Sequence, residues 1–264
     1  MNHSVVNLSG REALVTGASG YLGREICLAL ARAGAHVLVN ARTASACADL
    51  LAEIEDSGLC ASAAPFDITD EASVADFVTS RENKPLHILV NNAYSGDGGT
   101  IATASSDAFR KALEIGLVSP HHLFRSLLSQ LRLGRKEAGD ASVINIASMY
   151  GLVSPDLRNY QTAESSNPPF YGAAKAALVQ YTRYAACEFG PEGIRVNALA
   201  PGPFPAPEVQ QSAGEFIHAL EARVPLGRIG KAHEIGGPVA FLASSAATFV
   251  TGAVLPVDGG WTCW

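Results

Sequence analysis

Short apolar runs alternate with helical patterns along nearly the whole chain, and this rhythm narrows the fold more than any other feature. "EALVTG" (12–17) reads as a strand running into a glycine turn; "YLGREICLALARAG" (21–34) has helical periodicity and stops at Gly34. "AHVLVN" (35–40) and "CASAAPFD" (60–67) read as further strands, with helices predicted over 44–58 and 70–81, the latter capped by Asp70. "LHILVNNA" (86–93) is apolar almost to its end, as suits a strand covered on both faces. A long helical region over 105–131, a strand over 141–148, a helix ending near Phe189 and strands over 194–202 and 253–260 complete the order. This alternation predicts an α/β fold, a doubly wound (Rossmann) parallel sheet of about seven strands flanked by helices. No composition break divides the 264 residues, so one domain over 1–264 is the simplest organisation.

Composition excludes several function classes. Hydrophobic residues make up 48% and charged residues 17%, which is the balance of a well-filled core. The net charge is −6 and no basic stripe stands out, so a grip on nucleic-acid phosphates is not expected. The opening "MNHSVVNLSGREALVTG" lacks a basic segment followed by an apolar one, and no apolar run reaches the roughly 18 residues of a membrane span. Cys27, Cys47, Cys60, Cys187 and Cys263 are scattered without metal-ligand or CxxC spacing, and His121, His122, His218 and His233 show no metal spacing either. The expectation is a cytoplasmic protein with reduced thiols and no metal.

Doubly wound sheets bind ligands beyond the C-terminal ends of their strands, so the strand ends hold the candidate site. "VTGASGYLG" places Gly17, Gly20 and Gly23 between the first strand and first helix, where a backbone can approach a pyrophosphate seated on a helix N-terminus. The Lys-Ser/Thr of a phosphoryl-transfer loop is missing there. The second strand ends in Asn40-Ala41-Arg42, with no carboxylate for a ribose 2′-hydroxyl and an arginine suited to a 2′-phosphate. This favours NADP(H), with NAD(H) as the alternative. Further along, "NPPFYGAAKAALVQYTRY" sets Tyr171 and Lys175 four residues apart, on one face of a helix.

Taken together, "TGASGYLG", "NNA" (91–93), "INIAS" ending at Ser148, "YGAAK" (171–175), "IRVNALAPGP" (194–203) and "VDGG" (257–260) resemble the short-chain dehydrogenase/reductase family, single-domain branch. The resemblance runs from Leu14 to Gly260. It implies Tyr171 as catalytic acid/base, Lys175 as its partner and Ser148 as the group that binds the substrate oxygen. It also implies a cofactor site made by Gly17, Ser19, Gly20, Tyr21, Leu22, Gly23 and Arg42, by Asp67 and Ile68 on the adenine side, by Asn91 and Ala93 beneath, by Pro201 and Gly202 at the nicotinamide, and by Tyr171 and Lys175 themselves. A free tyrosine has a pKa of about 10, and lowering it by ~3 units takes about 4 kcal/mol of differential stabilisation. The Lys175 ammonium and an oxidised nicotinamide are the expected source.

Three departures from the family pattern follow. Gly20-Tyr21-Leu22-Gly23 shifts the glycine spacing towards that of the larger, sugar-modifying branch. Gly116 stands where many members carry a catalytic asparagine, whose backbone carbonyl a glycine can still supply. Ser148 and Tyr171 are separated by an insertion (149–170) rich in turn formers, expected to cap the substrate, while 203–230 is expected to form a lid. Tyr160 lacks a lysine four residues on; Tyr181 and Tyr184 are expected to pack, as are Phe204 and Phe216. Trp261 and Trp264 are not expected to stay in water, and association into a homodimer or homotetramer is anticipated. The leading expectation is an NAD(P)-dependent alcohol–ketone oxidoreductase acting on a small polar or sugar-derived substrate. A cofactor-binding regulator, and an epimerase or dehydratase using the same dyad, are the alternatives.

Overall fold

The computed structural model describes residues 6–96, 98–160, 162 and 164–264. Seven strands, β1 (Glu12–Val15), β2 (His36–Val39), β3 (Ala61–Ala63), β4 (Ile88–Asn91), β5 (Ala141–Ile146), β6 (Ile194–Pro201) and β7 (Val254–Val257), form one sheet in the order β3-β2-β1-β4-β5-β6-β7. All pairings are parallel. The order reverses between β1 and β4, which opens a crevice at their C-terminal ends.

Alternate residues of each strand serve opposite layers. Val15, Val37, Val90 and Ile144 pack with Ile26 and Leu30 of α1 (Tyr21–Arg32). Leu14, Leu89, Val143 and Val196 face the other way, against Phe124 and Leu131. The central strands β4, β5 and β6 are buried along their whole length, whereas β3 at the edge is short and half exposed. Helices α2 (Ala48–Asp56) and α3 (Glu71–Ser80) follow β2 and β3, and Asp70 caps α3 through the Ala72 amide at 3.0 Å.

The helical region predicted over 105–131 is not continuous. It divides into α4 (Ser106–Leu113), a π-helical turn (Glu114–Val118), α5 (Ser119–Ser126) and α6 (Leu128–Ala138). Pro120 accounts for the break: it has no amide to donate to the carbonyl four residues back, that of Gly116. The long helix α7 (Pro169–Phe189) carries Tyr171 and Lys175. Then come α8 (Pro207–Ser212), α9 (Gly214–Glu221) and α10 (Gly236–Ala243), the last unanticipated because its Gly-Gly-Pro start masks the helical pattern.

Buried charge is concentrated at the N-terminal edge of the sheet. Asp140, just before β5, accepts from Arg11 at 2.6 Å and from Arg195 at 2.9 Å. Arg195 also donates to the Leu242 carbonyl at 2.8 Å, and Arg11 to that of Ala243 at 3.3 Å. Both guanidiniums therefore sit at the negative end of the α10 dipole. Among the described residues no helix is long and apolar enough to cross a membrane, and no group of three His, Cys, Asp or Glu is placed to hold a metal. All five cysteines are free.

Candidate active site

At the opposite edge, the C-terminal ends of β1, β2, β4, β5 and β6 open onto a cavity of about 930 Å³. Its floor is a close contact between two turns. Gly17 has φ 61°, and a Cβ there would lie 2.7 Å from Ala93 Cα. A Cβ on Gly23 would lie 2.2 Å from the Gly17 carbonyl oxygen. A side chain at either position would strike the protein itself, so glycine lets the two turns close up, and both glycines line the cavity with backbone alone at the first turn of α1. The Thr16 hydroxyl ties the turns together by accepting from the amides of Asn92 (3.0 Å) and Ala93 (3.1 Å), while the Asn92 side chain donates to the Thr16 and Gly17 carbonyls, both at 3.0 Å.

Of the predicted cofactor-site residues, Gly17, Ser19, Gly20, Tyr21, Leu22, Gly23, Arg42, Asp67, Ile68, Ala93, Tyr171, Lys175, Pro201 and Gly202 all line this cavity. Asn91 does not. It is the last residue of β4, it is buried, and it donates inward to Asn145 at 2.8 Å, which in turn donates to Thr182 at 2.9 Å. The alternation of a strand turns Asn92, not Asn91, towards the cavity. Asp67 is held by Thr69, whose amide and hydroxyl donate to it at 2.9 and 2.8 Å. Asn40 is spent on structure, donating to the Ala64 and Phe66 carbonyls at 2.9 and 3.0 Å, which leaves Arg42 as the exposed cation at the end of β2.

Three elements bring the catalytic candidates together. β5 delivers Ser148 two residues beyond its end, and Ser148 Oγ accepts the Tyr150 amide at 3.1 Å to start a 3₁₀ turn (Met149–Gly151). That turn rests directly on α7: a Cβ on Gly151 would lie 2.9 Å from the Lys175 backbone, and one on Gly172 2.9 Å from the Tyr150 carbonyl oxygen. Pro169 opens α7 with its φ preset for a helix, so Tyr171 sits in the first turn. One turn on, Lys175 is buried and donates from Nζ to the Ile146 carbonyl at 2.8 Å.

The expected lowering of the Tyr171 pKa invokes the Lys175 ammonium together with an oxidised nicotinamide, and the protein alone does not supply it. Lys175 does not pull the Tyr171 pKa down in the cofactor-free chain. Burial pushes the phenol up from its ordinary value, with the interaction with Ser148 pulling the other way. A phenolate would lose water here without gaining a hydrogen bond from the ammonium, which is turned to Ile146, so desolvation wins. Burial also brings Lys175 down to about 8. At neutral pH the site therefore presents a protonated phenol and a charged lysine, ready to donate a proton.

The insertion and the lid form one wall. Tyr171 packs beside a cluster made by Met149 and Tyr150 from the 3₁₀ turn, Leu220 and Val224 from α9 and its continuation, and Trp261. The Tyr150 and Tyr160 hydroxyls are 3.1 Å apart, and the Tyr160 ring lies 5.1 Å from that of Phe216. Asp156 pairs with Arg158 at 2.7 Å and with Arg223 of the lid, whose guanidinium lies 5.1 Å from the Trp261 ring centroid. These two cations hold the Asp156 carboxyl well below the usual carboxylate range. Within the insertion, Gln161 and Ala163 fall outside the described residues, as does Asp97 in the neighbouring loop.

Other aromatic expectations are met unevenly. Phe216 and Phe204 both pack as expected, and Phe204 also lines the cavity. Tyr181 meets His121, with 3.1 Å between hydroxyl and Nδ1, but Tyr184 is exposed. Trp261 is buried and Trp264 is not. Sequence reasoning placed Tyr94 at a strand end without a role, and passed over Tyr150 and the Asp156–Arg223 pair. Tyr94 had a signal, since it directly follows "NNA" at a strand end; the other two meet only through the fold.

The family model described as enoyl-(acyl carrier protein) reductase matches residues 17–262. Over 262 residues, and 98% of each chain, the protein is 34% identical to the rhamnolipids biosynthesis 3-oxoacyl-(acyl-carrier-protein) reductase of Pseudomonas aeruginosa. It is also 34% identical to the gluconate 5-dehydrogenase of Gluconobacter oxydans, over 269 residues and 99% of each chain. Among solved structures, the Pseudomonas aeruginosa RhlG/NADP active-site complex superposes with a TM-score of 0.87 at 34% identity, covering 98% of this chain and 99% of that one. A gluconate 5-dehydrogenase from Burkholderia cenocepacia in complex with NADP and tartrate gives 0.86 at 28% identity, covering 99% and 100%. With the strand order, the glycine turn and the Ser148–Tyr171–Lys175 arrangement, these likenesses place the chain: it belongs to the short-chain dehydrogenase/reductase family.

Proposed function

We propose that this protein is an NAD(P)-dependent oxidoreductase that interconverts an alcohol and a ketone, with NADP(H) the favoured cofactor and Tyr171 the acid/base. The observation that carries the reading is the placement of Tyr171 and Lys175 on the wall of the cavity whose other end is the glycine turn. The cradle fits a dinucleotide: Gly17 and Gly23 line the cavity with backbone alone, where a Cβ would strike the neighbouring turns, and Arg42 offers a cation where a 2′-phosphate would lie. When bound there, the cofactor supplies or accepts the hydride. Tyr171 gives its proton to the oxygen of the ketone during reduction and takes one from the alcohol in the reverse direction. Ser148 donates a hydrogen bond to the same oxygen and fixes its orientation. Lys175 keeps a positive charge behind the phenol and opposes the cost of phenolate as the proton leaves.

The relatives carry names of acyl-thioester reductases and of sugar-acid dehydrogenases, so the substrate is set by the wall formed by 149–170 and 203–230, a substrate cap and lid on a single domain spanning 1–264. Among the described residues, Asn159 Nδ2 and Asn167 Oδ1 of that wall have no hydrogen-bond partner, which supports a polar or sugar-derived substrate. The exposed Leu226, Phe249 and Trp264 support assembly into a homodimer or homotetramer, and the unpaired thiols a cytoplasmic setting. The test is a panel of ketones, keto-sugar acids and 3-oxoacyl thioesters assayed with NADPH and NADH, following absorbance of the reduced nicotinamide. Turnover with at least one keto-sugar acid, faster with NADPH, is expected. Cofactor binding without turnover on any ketone contradicts the reading.

A further inference from the structure

Lys175 is 4% exposed, yet among the described residues one conventional acceptor, the Ile146 carbonyl at 2.8 Å, serves its three ammonium hydrogens. The next group against the charge is an aromatic face. Lys175 Nζ lies over the Tyr94 ring at 4.9 Å from the centroid, nearer than to the ring of Tyr171 at 5.7 Å. Tyr94 also packs edge-on against Tyr171, with centroids 4.9 Å apart and ring planes at 76°. One phenol thus touches both members of the catalytic pair.

Gly116 borders that ring. A Cβ on Gly116 would lie 3.5 Å from Tyr94 Cε2 and 3.0 Å from Ala174 Cβ, tighter than ordinary packing on the α7 side. The hydroxyl of Tyr94 has no part in the contact: it is buried without a hydrogen-bond partner among the described residues, and burial holds it protonated, up at about 12. It is the face of the ring, negative through its quadrupole, that meets the ammonium.

Among the described residues, no carboxylate is placed to compete for the role. Glu114 of the π turn accepts from Ser119 at 3.3 Å. On α4, Asp107 pairs with Arg110, and Lys111 is exposed. Tyr150 of the 3₁₀ turn is engaged with Tyr160, and Arg195 of β6 is held by Asp140 at the far edge. Tyr171, on the same helix as Lys175, is the remaining titratable neighbour.

We propose that Tyr94 is a positioning residue for the catalytic lysine: the face of its ring holds the Lys175 ammonium in place and in its charged form behind Tyr171. The catalytic value of this contact rests on the role proposed above for Lys175. The test reads the ammonium itself, so the two ideas fail separately.

The test is an NMR titration of the cofactor-free protein carrying ¹³Cε-labelled lysine, with the Lys175 signal assigned by its loss in Lys175→Met. Tyr94→Leu removes the ring face and is expected to lower the Lys175 pKa by about 0.5–1.5 units, the size of a desolvated cation–π contact. Tyr94→Phe keeps the face, drops the orphaned hydroxyl, and is expected to restore the wild-type titration to within a few tenths of a unit. Should the leucine variant not fold, Tyr94→Met fills the space without a π face and gives the same reading. An unmoved Lys175 titration in the variants lacking a ring, or a shift in Tyr94→Phe as large as theirs, overturns the proposal.

Discussion

The two edges of the sheet handle buried charge in opposite ways. At the N-terminal edge, Asp140 lies between two guanidiniums, and the donors left over reach the last carbonyls of α10. At the C-terminal edge, Lys175 is just as buried but meets, among the described residues, no carboxylate, only one carbonyl and aromatic faces. The first arrangement neutralises its charges and fixes four segments of chain to one another. The second leaves a charge whose natural counterpart, a phenolate on Tyr171, exists only while a proton is being moved. Pairing serves the fold at one edge, and the lack of pairing serves chemistry at the other.

The contrast breaks most visibly at Asp140. Asp140→Asn leaves two buried guanidiniums without their counter-charge and is expected to cost about 3–5 kcal/mol in urea unfolding. A cost below about 1 kcal/mol would mean that the N-terminal cluster is not the clamp described here.

Lys175→Met is expected to act in the other direction. It should abolish turnover yet stabilise the cofactor-free protein by about 1–2 kcal/mol at neutral pH, the relief of desolvation being partly offset by the lost hydrogen bond to Ile146. The pH dependence follows from a folded pKa of about 8, below the unfolded value of 10.5. The unfolded chain binds the extra proton between those values, so wild-type stability recovers as pH rises from about 8 towards 10.5 and the advantage of the variant shrinks over that window. A stability gap that stays constant across the window would contradict burial as the cause.

The smallest effect is expected at the join between insertion and lid. Asp156→Asn loosens the contact with Arg223 and is expected to raise KM a few-fold while leaving kcat nearly untouched, since the pair holds the wall and does not meet the reacting atoms. Because the Asp156 carboxyl is held well below the usual range, the wild-type KM should show no titration of this group in neutral or mildly acidic assays. A fall in kcat with KM unchanged would place the join in the catalytic step instead.

What could be read from the chain divides along the same physical lines. The strands, the glycine turn and the Tyr171–Lys175 spacing are written in local patterns, and all of them reappear in the structure. The break after α4 was also local, because Pro120 withholds its amide from the Gly116 carbonyl, but the apolar spacing on either side concealed it. At the end of β4, two adjacent asparagines gave composition without direction, and only the sheet decided that Asn92 faces the cavity and Asn91 the core. The contacts of Tyr160 with Phe216 and of Asp156 with Arg223 join residues far apart in sequence and left no periodic trace. The spacing shows that a lysine is near Tyr171, but not that its ammonium donates to Ile146 or that burial alone raises the phenol's pKa, so the lowering expected with a bound nicotinamide has this burial to overcome.

Comparison of Tyr171→Phe with wild type, in ketone reduction and in cofactor binding measured separately, tests the central claim most directly. The phenyl ring preserves the packing against Tyr94 and the cluster of Met149 and Trp261, and removes only the proton donor. The account predicts cofactor affinity within a few-fold of wild type and turnover lower by about 10²–10⁴-fold, the usual contribution of a positioned acid. Turnover within tenfold of wild type would contradict it.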